Sequence, residues 1–291
     1  RGLEHPFLGT LHPYDDEWFL NNIDPNWNIV LTCIPGIMNK IELNPEFGIA
    51  SNNEKGRLDA IAFMKEACTA IKKINKFFNK KMVRAIEIQT APNRSMALSS
   101  AASLKESLKT MLRWDWQGAQ IVIEHCDQYV EGEIPSKGFL SLDEEISVIS
   151  ELNKTSIEKD KATLGVVINW GRSAIEHRSA SGPLMHIRKA KKNDLLVGLI
   201  FSGVSDNEGI YGKWKDTHMP PSINTDLAEN KQTSLLTETE MHLCLEAAGC
   251  KDTMLPIVGI KFSIKDRNIS ISERVALNRN ALTVLDRFFD N

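Results

Sequence analysis

Glutamate stands at positions 4, 87 and 124, each time near the end of a short apolar run: GLEHPF, RAIEIQT and IVIEHCD. Lys261 stands likewise in GIKFS, Asn169 in VVINWGRS and Ser202 in LIFSG. Alternate residues of a strand share a face. Ile86 and Ile88 on one face therefore put Glu87 and Gln89 on the other. Ile121 and Ile123 do the same for Val122 and Glu124, and Val258, Ile260 and Phe262 for Gly259 and Lys261. Carboxylates gathered beside one ammonium shift each other's pKa and can transfer protons to and from a bound substrate. The competing use of such a cluster is a buried ion-pair network that closes the sheet.

The loops beyond these strand ends carry further polar groups. Arg172, in GRSAIEHR, has the planar fork that clamps a carboxylate or phosphate, and a surface ion pair is its plainer role. The long segment FSGVSDNEGIYGKWKDTHMPPS (201–222) brings Tyr211, Trp214, Asp216 and His218. Ring faces and polar tips together suit a sugar-like ligand, and the length predicts a lid. His125, in the helix-facing phase, is expected to be a satisfied core histidine. Trp114, Trp116 and Cys33 are expected to pack.

These residues need rigid elements to hold them. Seven near-continuous apolar segments read as buried parallel strands: 1–7, 28–34, 83–90, 119–126, 164–170, 195–202 and 256–263. Amphipathic stretches between them read as helices. S/T-x-x-E pairs at Ser51/Glu54, Ser141/Glu144, Ser173/Glu176, Thr237/Glu240 and Ser270/Glu273 read as helix-start capping boxes, which gives those glutamates a structural role. Strand, loop and helix in repetition predict an α/β fold. No G-x-G-x-x-G follows the first strand, which argues against an open dinucleotide-binding sheet. Seven strands with an eighth upstream make a (β/α)8 barrel whose polar strand ends form the mouth. Gly2, Gly165, Gly198 and Gly259, in the same inward phase, would leave room below it. No linker divides residues 1–291, so a single domain is expected.

The 291 residues carry a net charge of −3, which offers no basic field for nucleic acid. Five scattered cysteines without a C-x-x-C pair point to a reducing cytoplasm. No apolar run reaches the ~20 residues of a membrane span. The chain opens on RGLEHPF without a methionine, and the natural protein is expected to begin further upstream.

Taken together, GLEHPF, LTCIPG, FGIAS, WDW–GA–IEHCD, KGFLSLDEE, INWGRSAIEHR, FSG and YGKW–D–H–P resemble an uncharacterised bacterial domain-of-unknown-function family. That family is placed among the xylose isomerase-like TIM barrels, and the resemblance covers almost the whole chain. It implies the barrel, with the first strand supplied by an N-terminal segment missing here. Sugar epimerases of the wider superfamily hold a divalent metal with Glu, Asp, His and Glu on their last four strands. On this chain those positions fall on Glu124, Asn169, Ser202 and Lys261, and an ammonium there would repel a cation. The usual metal is not expected and no cofactor is assigned. A displaced divalent site using Glu4, Glu87 and His5 stays open.

The leading expectation is an enzyme that abstracts a proton next to the carbonyl of a small carbohydrate-like substrate. Glu124 and Glu87 would be acid and base, Lys261 the electrostatic stabiliser, and Arg172 the group that orients the substrate. Glu4, Gln89, Asn169, Ser202, Tyr211, Trp214, Asp216 and His218 would line the site. One alternative makes Lys261 a Schiff-base nucleophile in a lyase or aldolase, although carboxylates around it would hold its proton. Another is a non-catalytic sugar-binding barrel. Homo-oligomerisation is left open.

Overall fold

The computed structural model describes residues 1–155, 163–223 and 233–290. Strands and helices alternate along the chain. β1 (Gly2–Pro6) leads through α1 (Asp16–Asn22) to β2 (Asn28–Thr32), and α2 (Ile34–Leu43) and α3 (Glu54–Phe77) precede β3 (Val83–Ile88). Then follow α4 (Ala101–Met111), β4 (Gln120–His125), α5 (Leu142–Thr155), β5 (Leu164–Asn169), α6 (Trp170–His177) and α7 (Gly182–Lys192). β6 (Leu196–Phe201), α8 (Glu238–Ala248), β7 (Ile257–Ile260) and α9 (Ile271–Asp290) complete it. Strand order follows chain order from β1 to β7.

Two compact units divide these elements. Arg1–Glu133 with Lys137–Val166 form the first, and Ile134–Ser136 with Val167–Asn291 the second. In the first, β1 through β4 pair in parallel, each strand with the next. Both faces are covered: Ile29, Leu31, Ile86, Ile121 and Ile123 on one, and Glu87, Val122 and Glu124 on the other, have no exposed surface. The buried stripe of α3 (Ala60, Met64, Ala67, Ile71, Ile74) recurs at helical spacing. In the second unit β6 and β7 pair in parallel.

Several expected boundaries move. Residues 28–34 are not all strand: β2 stops at Thr32, and Pro35 in the first turn lets α2 begin at once. β7 is only four residues long, so Lys261 and Phe262 lie past its end. Gly259 has only Ile200 Cδ1, at 3.5 Å, near an added side chain, but Gly2 and Gly198 do not open space. A side chain at Gly2 would strike the Asn28 carbonyl oxygen at 2.7 Å, and one at Gly198 would strike Ile257 Cβ at 2.8 Å. They allow close strand approach instead.

Of the five proposed capping boxes, two are reciprocal. The Ser141 backbone N–H and hydroxyl both donate to Glu144, whose N–H donates back to Ser141 Oγ. Ser270 and Glu273 repeat the pattern. Thr237 caps α8 through its own oxygen, which accepts from Glu240 N–H. The other two are corrected. α3 is capped by Asn53, whose side chain accepts from Gly56 N–H, so Ser51 lies outside the helix. α6 starts three residues before Ser173, with Asn169 as its cap.

Candidate active site

The first unit gathers three carboxylates. Glu4 pairs in register with Val30, Thr32 with Glu87, and Glu87 with Val122. Paired residues in a parallel sheet leave on one face, and so do residues two apart along a strand. Glu4, Thr32, Glu87 and Glu124 therefore share a face, rising along the strands from β1 to β4. This stagger suits strands tilted as in a barrel, where groups at one height are offset in register. One oxygen each from Glu4, Glu87 and Glu124 lies within 4.8 Å of the others. Glu87 and Glu124 have no exposed surface.

Neighbouring residues fix the strand ends. His5 is not part of the carboxylate group. It bonds the Leu11 carbonyl oxygen at 2.5 Å and stacks on Phe19 at 3.9 Å. Burial holds its pKa below the ordinary value despite that bond. The oxygens of Glu4 and Glu87 therefore stand with that of Glu124, while the His5 ring is turned to Leu11 and Phe19. His125 is a core histidine, with Nδ1 2.8 Å from Glu145 Oε2, and the Thr90 hydroxyl donates to the other Glu145 oxygen at 2.8 Å. Glu145 therefore ties the segment after β3 to the end of β4. Gln89 donates to Met38 Sδ and accepts from the Cys126 thiol. Cys33 is fully buried, and burial, reinforced by the Glu87 charge, pushes its thiol far above the ordinary range. It is packing, not a nucleophile.

The second unit carries the remaining candidates. Ser202 Oγ donates to Asn169 Oδ1 at 2.7 Å, and the same oxygen accepts the Arg172 backbone N–H. Arg172, almost fully buried, places Nε 3.1 Å from Asp216, so its pair is internal and not on the surface. Asp216 also lies 3.3 Å from His218 Nδ1. Segment 201–222 is tied down over much of its length. Gly203 and Met219 exchange both backbone bonds, and Ser263 bonds Thr217 and His218. The Tyr211 hydroxyl donates to the Ser263 carbonyl, and burial raises its pKa. Trp214 and His218 sit in the left-handed region at φ 50° and 52°, a region uncommon for a bulky residue such as Trp214. Arg178 lies 5.9 Å from the Trp214 ring. Lys261 anchors its backbone to Phe201. Glu176 is not a cap. It faces His186 Nε2 at 3.2 Å, and the Ser173 hydroxyl meets the other ring nitrogen.

Sequence reasoning passed over Thr32, Thr90 and Glu145. Thr32 lay in the same alternation as its neighbours. Glu145 interrupts the buried stripe Leu142–Ile146–Ile149–Leu152 of α5 with a charge, which is itself a signal.

The family model described as "Domain of unknown function (DUF4862)" matches residues 1–277. The chain belongs to the DUF4862 family. An uncharacterised protein of Salmonella typhimurium (strain LT2) is 34% identical over 290 residues, covering 99% of this chain and 86% of that protein. Among solved structures, a D-tagatose 3-epimerase-like protein superposes with a TM-score of 0.60 at 12% identity, covering 99% of this chain and 87% of that one. A D-psicose 3-epimerase, solved in the presence of D-fructose, gives 0.50 at 11% identity, with 92% and 84% covered. This DUF4862 chain has the α/β fold of the xylose isomerase-like TIM barrels.

The metal set that the sugar-epimerase resemblance implies does not fit here. Of its four positions only Glu124 offers a carboxylate. Asn169 and Ser202 bond each other, and an ammonium at Lys261 donates no electron pair.

Proposed function

We propose that this DUF4862 protein is a sugar or sugar-acid isomerase or epimerase that moves a proton on the carbon next to a carbonyl. The observation that carries the reading is the buried pair Glu87 and Glu124, with Glu4 beside them, on the ends of adjacent strands. One carboxylate takes the proton from carbon, and the C–H electrons pass into the new C=C bond as the carbonyl oxygen becomes an enediolate. The other carboxyl returns a proton to carbon or oxygen. Strand ends hold both groups more rigidly than loops would, as proton transfer requires. The two epimerase neighbours support a carbohydrate as substrate class. Lys261 as stabiliser of the enediolate, and Arg172 as the group that orients the substrate, are assigned from the sequence pattern.

The test is deuterium exchange. Incubated in D2O with a panel of ketoses and sugar acids, the wild-type protein is expected to label one substrate at the carbon next to its carbonyl, read by NMR. Glu124→Gln is expected to lower the rate at least ~100-fold, the lower range for a positioned acid or base, with an unchanged circular-dichroism spectrum. Full activity in that variant would remove Glu124 from the mechanism. Saturable sugar binding without exchange would make the protein a binding barrel.

A further inference from the structure

We propose that Glu4, Glu87 and Glu124 form a binding site for one hard divalent cation of the Mg2+ or Mn2+ type, distinct from the four-ligand set of the sugar epimerases. The three ligand oxygens come from three strands and lie within 4.8 Å of one another. Oxygens bound to one octahedral Mg2+, at about 2.0–2.1 Å from its centre, lie roughly 3–4 Å apart, which falls inside that limit. Glu87 and Glu124 are fully buried and Glu4 is half-buried, and carboxylate oxygens at this spacing attract a cation into the space between them.

A second observation points to a ligand at the same place. The Thr32 hydroxyl is 2% exposed and has no hydrogen-bond partner among the described residues. Thr32 pairs with Glu87, so its side chain leaves the sheet on the carboxylate face, between the strand of Glu4 and the strand of Glu87. A buried hydroxyl normally has a partner. The coordination sphere of a hydrated cation provides one, either the ion itself or a water bound to it. Donors that are all oxygen, with waters filling the remaining positions, favour Mg2+ or Mn2+ over the softer metals that take histidine and thiolate.

The inference shares residues with the catalytic reading but is tested without substrate, so either can fail alone. Chelator-stripped full-length protein is titrated with Mn2+, and free Mn2+ is followed by electron paramagnetic resonance. One saturable site is expected, weakened about tenfold or more by Glu87→Gln and by Glu124→Gln. The near-isosteric Thr32→Val is expected to weaken it by about the same factor, as loss of a supporting group does. Glu106→Gln, an exposed carboxylate on α4, is the control and should change nothing. No saturable binding to the wild-type protein overturns the proposal. So does a wild-type site whose affinity survives both glutamate substitutions.

Discussion

The Glu145 carboxylate reaches from α5 to Thr90 and to His125, and all three side chains lie out of water. Removing Glu145 breaks both bonds at once. Glu145→Ala is therefore expected to cost about 2–6 kcal/mol, ~1–3 kcal/mol for each of the two buried hydrogen bonds lost. Glu145→Gln keeps the shape and one acceptor, and the expected cost is about 1–2 kcal/mol. Urea denaturation of the two variants measures both, and equal costs would mean that volume matters here and polarity does not. At this scale strand alternation made Glu87 and Glu124 legible in the sequence, because a period of two needs only local information. The pairing of Arg172 with Asp216 was not legible. The two are 44 residues apart, and nothing local aims one at the other.

Elements were legible where a long periodic stripe specified them and less so at their ends. Each of the seven strands exists, yet β2 and β7 stop short of their apolar runs. In β2 the following proline-containing turn is competent to start α2, and helix propagation takes Ile34 from the strand. The Ser173/Glu176 capping box failed for a related reason: S-x-x-E spacing also occurs inside a helix. The difference has an energetic signature. Ser141→Ala removes a cap that satisfies the Glu144 N–H and should destabilise the chain by about 1 kcal/mol. Asn53→Ala should cost a similar amount at α3, where the sequence pattern had pointed to Ser51. Ser173→Ala should act otherwise, by removing the hydroxyl that meets His186 Nδ1 inside the fold. Thermal unfolding of the three variants with a titration of the His186 ring by NMR separates the cases: only Ser173→Ala should move the His186 signal.

Over the whole molecule, acid should act in two stages. His5 is held neutral by burial, which outweighs its bond to the Leu11 carbonyl, so its folded pKa lies below the ordinary 6.5. As pH falls past 6.5 the unfolded chain accepts a proton there that the folded chain refuses, and stability declines until the folded value is reached. Glu144 is shifted the same way for a different reason. Partial burial works to raise its pKa, but the Arg94 fork and the Ser141 bonds outweigh burial and hold it below 4.5. Asp16 is likewise lowered: Lys73 and the His12 backbone N–H outweigh its desolvation. The stability these acids contribute is complete above their unfolded values and is lost as pH falls through the lower folded ones. The His5, Glu144 and Asp16 contributions slope in one direction, and Glu240, whose pKa burial raises, opposes them only in the stretch just above pH 4.5, so stability should decline from neutral pH towards pH 4. The His5→Asn variant should show a smaller decline from pH 7 to 5.5 than the wild type. Arg94→Met should instead flatten the segment below pH 4.5, since without its guanidinium Glu144 returns towards its unfolded value. Urea midpoints at pH 7, 5.5 and 4 measure the two segments separately. A wild type equally stable at pH 7 and 5.5 would mean that the His5 ring takes up its proton in the folded state, and that the contact with Leu11 and Phe19 does not keep it dry.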